Sequence, residues 1–132
     1  MEILLYIWQL PQNILGLLLL LIYGKERLYH RLNGRRFYYT GEIPSGISLG
    51  NYIILWCESY GNSFKHEYGH SIQSRILGPL YLIVIGLPSL CGNIYDRVAH
   101  SCWPDNLRVK WYYNQPWEKW ADKLGKVNRD EE

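Results

Sequence analysis

The chain has almost no net charge: 14 Lys plus Arg stand against 12 Asp plus Glu over 132 residues, leaving +2 with neutral histidines. Nucleic acid calls for a basic footprint that this balance does not supply, so it is not an expected partner. Cysteine is scarce as well. Cys57, Cys91 and Cys102 form no C-x-x-C pair, and their odd number leaves one thiol over in any intramolecular disulfide scheme. They read as ordinary thiols, which suits a reducing compartment, with a Cys91–Cys102 bridge as the alternative if that segment is exported. No internal repeat or low-complexity tract is present, and the length leaves room for one domain. Apolar and aromatic residues are plentiful: 48% of the chain is hydrophobic, with 12 Tyr and 6 Trp, which excludes intrinsic disorder on composition.

Charge is missing altogether from Ile3 to Tyr23. As a helix this run would be roughly 31 Å long, about the thickness of a bilayer's hydrocarbon core. Pro11-Gln12-Asn13 interrupts it, so it reads either as one kinked helix or as a short helix from Ile14 to Tyr23 preceded by an interfacial piece carrying Trp8. A cleaved signal peptide is disfavoured, because the start carries Glu2 and no Lys or Arg, and no small-x-small site follows the apolar run. Residues 1–24 are therefore expected to be a membrane anchor. Residues 25–36 read as a basic linker, with Lys25, Arg27, Arg31, Arg35 and Arg36 against a single Glu26. The positive-inside bias then places the body of the protein on the cytoplasmic side.

The remainder, 37–127, reads as one α+β unit followed by a charged tail at 128–132. Phe37 to Thr40 is expected as a strand, Gly41 to Gly46 as a turn and Ile47 to Trp56 as a second strand, together a hairpin in which Gly50 marks a bulge or a close backbone approach. Gly61-Asn62-Ser63 supplies a cap for a helix from Phe64 to Leu77, which Gly78-Pro79 ends. Leu80 to Leu90 is apolar but broken by Gly86 and Pro88, too short to span a bilayer and open to re-entrant, interfacial, core or dimer roles. Cys91 to Asn114 is expected to form loops and short pieces. Pro116 opens a helix over Trp117 to Leu124 that Gly125 terminates.

His66-Glu67-Tyr68-Gly69-His70 is H-E-x-x-H. On a helix the i, i+4 spacing sets both imidazoles on one face about 6 Å apart at Cβ, a separation that suits one tetrahedral metal ion. Glu67 lies toward the same side and can take a proton from a metal-bound water. A third ligand is needed, and Glu118-Lys119-Trp120-Ala121-Asp122 offers one. Its two carboxylates are one helical turn apart, so Glu118 can bind the metal while Asp122 accepts the second N–H of a ligand histidine. His30 and His100 read as surface residues, and Trp103, Trp111, Trp117 and Trp120 as core or interfacial anchors.

These two motifs together resemble the gluzincin class of zinc metallopeptidases, in which H-E-x-x-H on one helix is joined by a Glu, commonly within E-x-x-x-D, on a later one. The resemblance implies His66, His70 and Glu118 as Zn²⁺ ligands, Glu67 as general base and Asp122 as the outer partner of a ligand histidine. The stretch H-E-Y-G-H-S-I-Q-S-R, with Gln73, also looks like small bacterial or phage-type peptidases with a compact zincin core. The likeness covers roughly Ile47 to Gly125 and implies an edge strand beside the cleft, here Ile47 to Leu55, that pairs with an extended peptide. In this chain 48 positions separate His70 from Glu118, longer than in many short-spaced gluzincins. Tyr112, Tyr113 and His100 are candidates for stabilising an oxyanion. The polar helix around Lys65, Gln73 and Arg75 is unsuited to crossing a bilayer, which separates this chain from intramembrane proteases.

The expectation is a membrane-anchored zinc-dependent metallopeptidase facing the cytoplasm, acting on a peptide or protein substrate and touching membrane lipid. The alternative is a membrane-associated interaction or structural protein that keeps a zincin-like core without turnover.

Overall fold

The computed structural model describes residues 1–23, 27–40, 46–56 and 61–129. The first residues of the basic linker, the turn expected over 41–45, Cys57 and the end of the charged tail lie outside them. The fold is α+β: helices α1 (Glu2–Trp8) and α2 (Leu10–Tyr23), strands β1 (Arg27–Leu32), β2 (Arg35–Tyr39), β3 (Gly46–Leu49) and β4 (Tyr52–Leu55), then helices α3 (Asn62–Leu77), α4 (Leu87–Ala99), α5 (Asp105–Tyr113) and α6 (Pro116–Gly125). A 3-10 turn at Gly78–Leu80 and a π-helical turn at Leu82–Gly86 join α3 to α4.

The four strands form one mixed sheet in the order β1-β2-β4-β3. This corrects the expected hairpin. The segment Ile47 to Trp56 does not pair as a single arm: it folds on itself as the antiparallel pair β3–β4, and β4 runs parallel to β2. Gly50 is the cause, since its φ of +67° fits the first position of a two-residue turn between Leu49 and Tyr52 rather than a bulge. A second such turn at Asn33 (φ 50°) and Gly34 (φ 81°) makes a hairpin of β1 and β2, so most of the stretch read as a basic linker is strand. Asn-Gly is the strongest short hairpin signal, because both residues accept positive φ.

Both faces of the sheet are covered, which is why all four residues of β4 are buried. On one face Tyr52 and Ile54 pack with Leu20 of α2 and Tyr6 of α1. On the other, Phe37, Ile53 and Leu55 pack with Phe64 and Tyr68 of α3, the rings of Phe37 and Phe64 stacking at 4.1 Å. α3 in turn packs on α6 at backbone distance. A Cβ on Gly69 would fall 1.9 Å from the carbonyl oxygen of Ala121, and one on Gly125 equally close to that of Lys65.

The apolar N-terminal run is broken at Gln9, where α1 and α2 meet at 86°. The polar residues that interrupt the run face inward. Gln12 Nε2 donates to Ser74 Oγ and to the Gly78 carbonyl, both at 2.8 Å, Ser74 Oγ donates to Gln9 Oε1, and Asn13 Oδ1 accepts the Asn51 backbone N–H. All three side chains are fully buried, while Ile3, Leu4, Ile7, Leu18 and Leu21 point outward.

Two further expectations are overturned. Cys91 to Asn114 is not loop: α4 continues through it to Ala99, and α5 follows. The Leu80 to Leu90 run therefore does not end as a short piece. Gly86 and Pro88 fail to break it, because the π-helical turn comes just ahead of the proline and Pro88 enters at the first turn of α4, where its missing N–H costs nothing. The resulting stretch, Leu82–Ala99, is long and apolar enough to cross a membrane, and only 6% of it is buried. Gly125 is the last residue of α6, and Lys126 takes the left-handed position after it (φ 60°). Cys91 and Cys102 are free thiols.

Candidate metal centre

Three side chains from two helices converge. His66 and His70 occupy successive turns of α3, their ring centroids 4.6 Å apart. Glu118 sits in the first turn of α6, fully buried, with Oε2 2.9 Å from His66 Nε2 and 3.2 Å from His70 Nε2. One ligand atom from each of the three lies within 4.8 Å of the others. The close passage of α3 over α6 at Gly69 and Ala121 makes this possible, since a helix pair held at ordinary distance would leave Glu118 short of the histidines.

Each ligand is held from behind. His66 Nδ1 donates to Asp122 Oδ1 at 2.6 Å, and Arg129 grips the same carboxylate through Nη2 at 2.9 Å and Nε at 3.0 Å. His70 Nδ1 donates to Gln73 Oε1 at 2.7 Å, and Gln73 Nε2 donates to the Trp117 carbonyl at 2.9 Å. Ser89 Oγ donates to Glu118 Oε1 and contacts Tyr112 Oη at 3.1 Å. With both Nδ1 atoms tied outward, both Nε2 atoms face the gap, the orientation that metal-ligating histidines adopt.

The electrostatics follow from this packing. Burial opposes a charge on His66, but the hydrogen bonds to Asp122 and Glu118 outweigh it and raise the pKa to about 9. Burial likewise opposes the Glu118 carboxylate, and the bonds from His66 and His70 hold it far below the usual carboxylate range. Glu67 differs. Burial pushes its carboxyl up, against the pull of His70 and His66. A Cβ at Gly46 of β3 would lie 2.7 Å from Glu67 Cγ, so glycine there leaves the carboxylate its place.

Glu67, His70, Ser89 and Tyr112 line a cavity of about 460 Å³, whose other walls are mainly apolar and come chiefly from α2, β3 and the segment from Tyr81 into α4. Two nitrogens and a carboxylate oxygen, with one side open to a cavity, fit the donor set of a catalytic zinc site: three protein ligands and an open position.

Of the three residues considered for oxyanion stabilisation, the structure separates one from the others. Tyr112 lines the cavity. Tyr113 instead lies edge-on against the His66 ring at 4.9 Å, with the Arg129 guanidinium 3.5 Å over its own ring. His100 is not the surface residue expected: it is buried, bonded to Asp96 at 3.0 Å and stacked on Trp103 at 3.7 Å, where an imidazole has both a carboxylate and ring faces to satisfy it. Ile47 to Leu55 is not one edge strand. Of its two strands β3 lies at an edge, opposite β1 at the other, and β4 lies inside the sheet.

Sequence reasoning assigned no site role to Gln73, Ser89, Arg129 and Gly46. Gln73 has a local signal, being three residues past His70 on the same helix. The others approach from separate elements, and no spacing announces them. Comparison with known proteins brings no relative to bear on the site: no family model, no curated protein and no solved structure matches the chain.

Proposed function

We propose that the chain is a zinc-dependent hydrolase with a gluzincin-like site, cleaving peptide bonds at a membrane surface. One observation carries this reading: His66 Nε2, His70 Nε2 and Glu118 Oε2 face a single point, each held from behind by its own partner, beside a buried Glu67 and an open cavity. His66, His70 and Glu118 would hold the ion, which when bound supplies Lewis acidity toward a water and a carbonyl. Glu67 serves as general base and then general acid, its raised proton affinity suiting it to take a proton at its carboxylate and return it to the leaving amine. Tyr112, kept protonated chiefly by burial, lines the cavity with its Oη 3.1 Å from Ser89 Oγ, and would stabilise developing negative charge by turning its proton from Ser89 toward it. β3 is an edge of the sheet, its Ser48 carbonyl taken by the Tyr81 hydroxyl at 3.0 Å, and its other outward main-chain groups could pair with an extended peptide.

The exposed apolar faces of α1, α2 and the Leu82–Ala99 stretch support membrane contact, and the arginines at 31, 35 and 36 support a cytoplasmic orientation.

The test is metal content by elemental mass spectrometry on detergent-purified wild type beside Glu118→Ala, followed by peptide hydrolysis by wild type and Glu67→Gln. The expected outcome is near one zinc per chain, a sharp fall in Glu118→Ala, and hydrolysis that is lost in Glu67→Gln while zinc is kept. Zinc retained with no difference between wild type and Glu67→Gln would identify a non-catalytic membrane-associated protein instead.

A further inference from the structure

A second cavity, again about 460 Å³, lies between α1 and the β1–β2 hairpin and shares no lining residue with the one at the metal centre. Its walls carry Arg31, Arg35 and Arg36 and a single carboxylate, Glu2. That carboxylate is already engaged, because Arg75 donates to it through Nη1 and Nη2. Arg35 is buried with its guanidinium turned to the α3 side, where it donates to Ser71 Oγ and the Asn33 carbonyl, both at 2.9 Å, and lies 4.6 Å over the Tyr68 ring. Arg31 and Arg36 are exposed and stand directly opposite each other across the hairpin. Like charges in that relation destabilise a strand pair, and among the described residues no carboxylate relieves either of them.

An anion in the cleft would turn the repulsion between Arg31 and Arg36 into an attraction. Guanidinium forks match the oxygens of a phosphate, and two arginines facing each other across a strand pair can grip one from both sides. The Tyr6 and Tyr52 hydroxyls, 3.1 Å apart, add polar groups to the lining. The surroundings narrow the kind of phosphate. Ile3 lines the cleft, and Leu4 and Ile7 are exposed beside it on α1, so an apolar surface adjoins the basic one. A free anion has no use for that surface, whereas a phosphate attached to acyl chains does.

We propose that the cleft between α1 and the β1–β2 hairpin binds the phosphate of an anionic phospholipid, clamped by Arg31 and Arg36, with the lipid's apolar portion against Ile3, Leu4 and Ile7. The site is independent of the metal centre and of any turnover there.

The test uses the full chain in detergent. Binding of dihexanoyl phosphatidylglycerol, dihexanoyl phosphatidylcholine and inorganic phosphate is followed by the shift in thermal unfolding, for wild type, for Arg31→Gln/Arg36→Gln and for the charge-matched control Lys110→Gln/Lys119→Gln. Wild type and control are expected to bind the phosphatidylglycerol alike, and the arginine variant to bind it about tenfold or more weakly, a loss of about 1.4 kcal/mol. Without lipid the arginine variant should unfold no lower than wild type, since the facing charges are gone, so its weaker binding would not reflect misfolding. Equal losses in variant and control, or none in either, would overturn the site. Phosphatidylcholine binding as tightly as phosphatidylglycerol would overturn its selectivity for an anion. A shift by inorganic phosphate at matching concentration would overturn the lipid assignment in favour of a free-phosphate site.

Discussion

At Gly69, between the two histidines of the motif, a methyl group has nowhere to go. The Ala121 carbonyl 1.9 Å away is helix backbone and cannot swing aside as a side chain would. Gly69→Ala should therefore push α3 from α6, costing about 1–3 kcal/mol in urea unfolding by the usual scale of overpacking, and lowering zinc content because Glu118 retreats from His66 and His70. Gln73 gives a finer test. Among the described residues its side chain hydrogen-bonds to the outer nitrogen of His70 and to the Trp117 carbonyl, so Gln73→Ala should weaken zinc binding about 10–100-fold in a competition titration while circular dichroism stays unchanged. The proton on His66 adds a pH dependence. Its folded pKa, about 9, lies above its unfolded value, so in metal-free protein its contribution to stability is whole below about pH 6.5 and is lost as the pH rises through 9. Zinc must displace that proton, so its affinity should climb over the same interval with measurable proton release.

The helices α1 and α2 show how an element's role depends on what it meets. Read as a membrane segment, the run is improved by removing polarity. In the fold Gln12 links α2 to Ser74 and to the Gly78 carbonyl at the end of α3. Gln12→Leu should thus destabilise the protein by about 1–3 kcal/mol in chemical unfolding, leaving buried acceptors without a donor, although it makes the sequence more apolar. The strands teach a similar lesson. Asn33-Gly34 and Gly50 mark turns through backbone φ alone, but the parallel pairing of β2 with β4 connects segments distant along the chain, and no turn residue encodes it.

Across the whole molecule, the metal centre ties α3 to α6 and, through Ser89, to α4. A ligand that binds only the folded chain raises its stability by mass action. Saturating zinc at about a hundred times its dissociation constant should add about 2.7 kcal/mol, raising the wild-type unfolding midpoint, and a chelator should reverse the gain. Glu118→Ala should respond to neither addition. A wild-type midpoint indifferent to both would remove the ion from any account of this fold.

How much of this was legible in the chain depends on the range over which each feature is decided. His66, Glu67 and His70 share a helix, and helical periodicity alone sets their relation, as it does for Glu118 and Asp122 one turn apart. The helix starting at Pro116 and the hydrophobic character of residues 3–23 were open to the same local reasoning. The distance between the two motifs was not, because it rests on Gly69, Ala121 and Gly125 letting two backbones touch. Nor was the inward turn of Gln9, Gln12 and Asn13, which depends on partner elements brought from elsewhere in the chain, whereas the helix through Pro88 and the facing arginines about Asn33-Gly34 are set by residues close in sequence. Spacing along a helix determined which groups can act together, whereas the packing of helix on helix and sheet decided where they meet, since contact between elements is a tertiary quantity that no local pattern records.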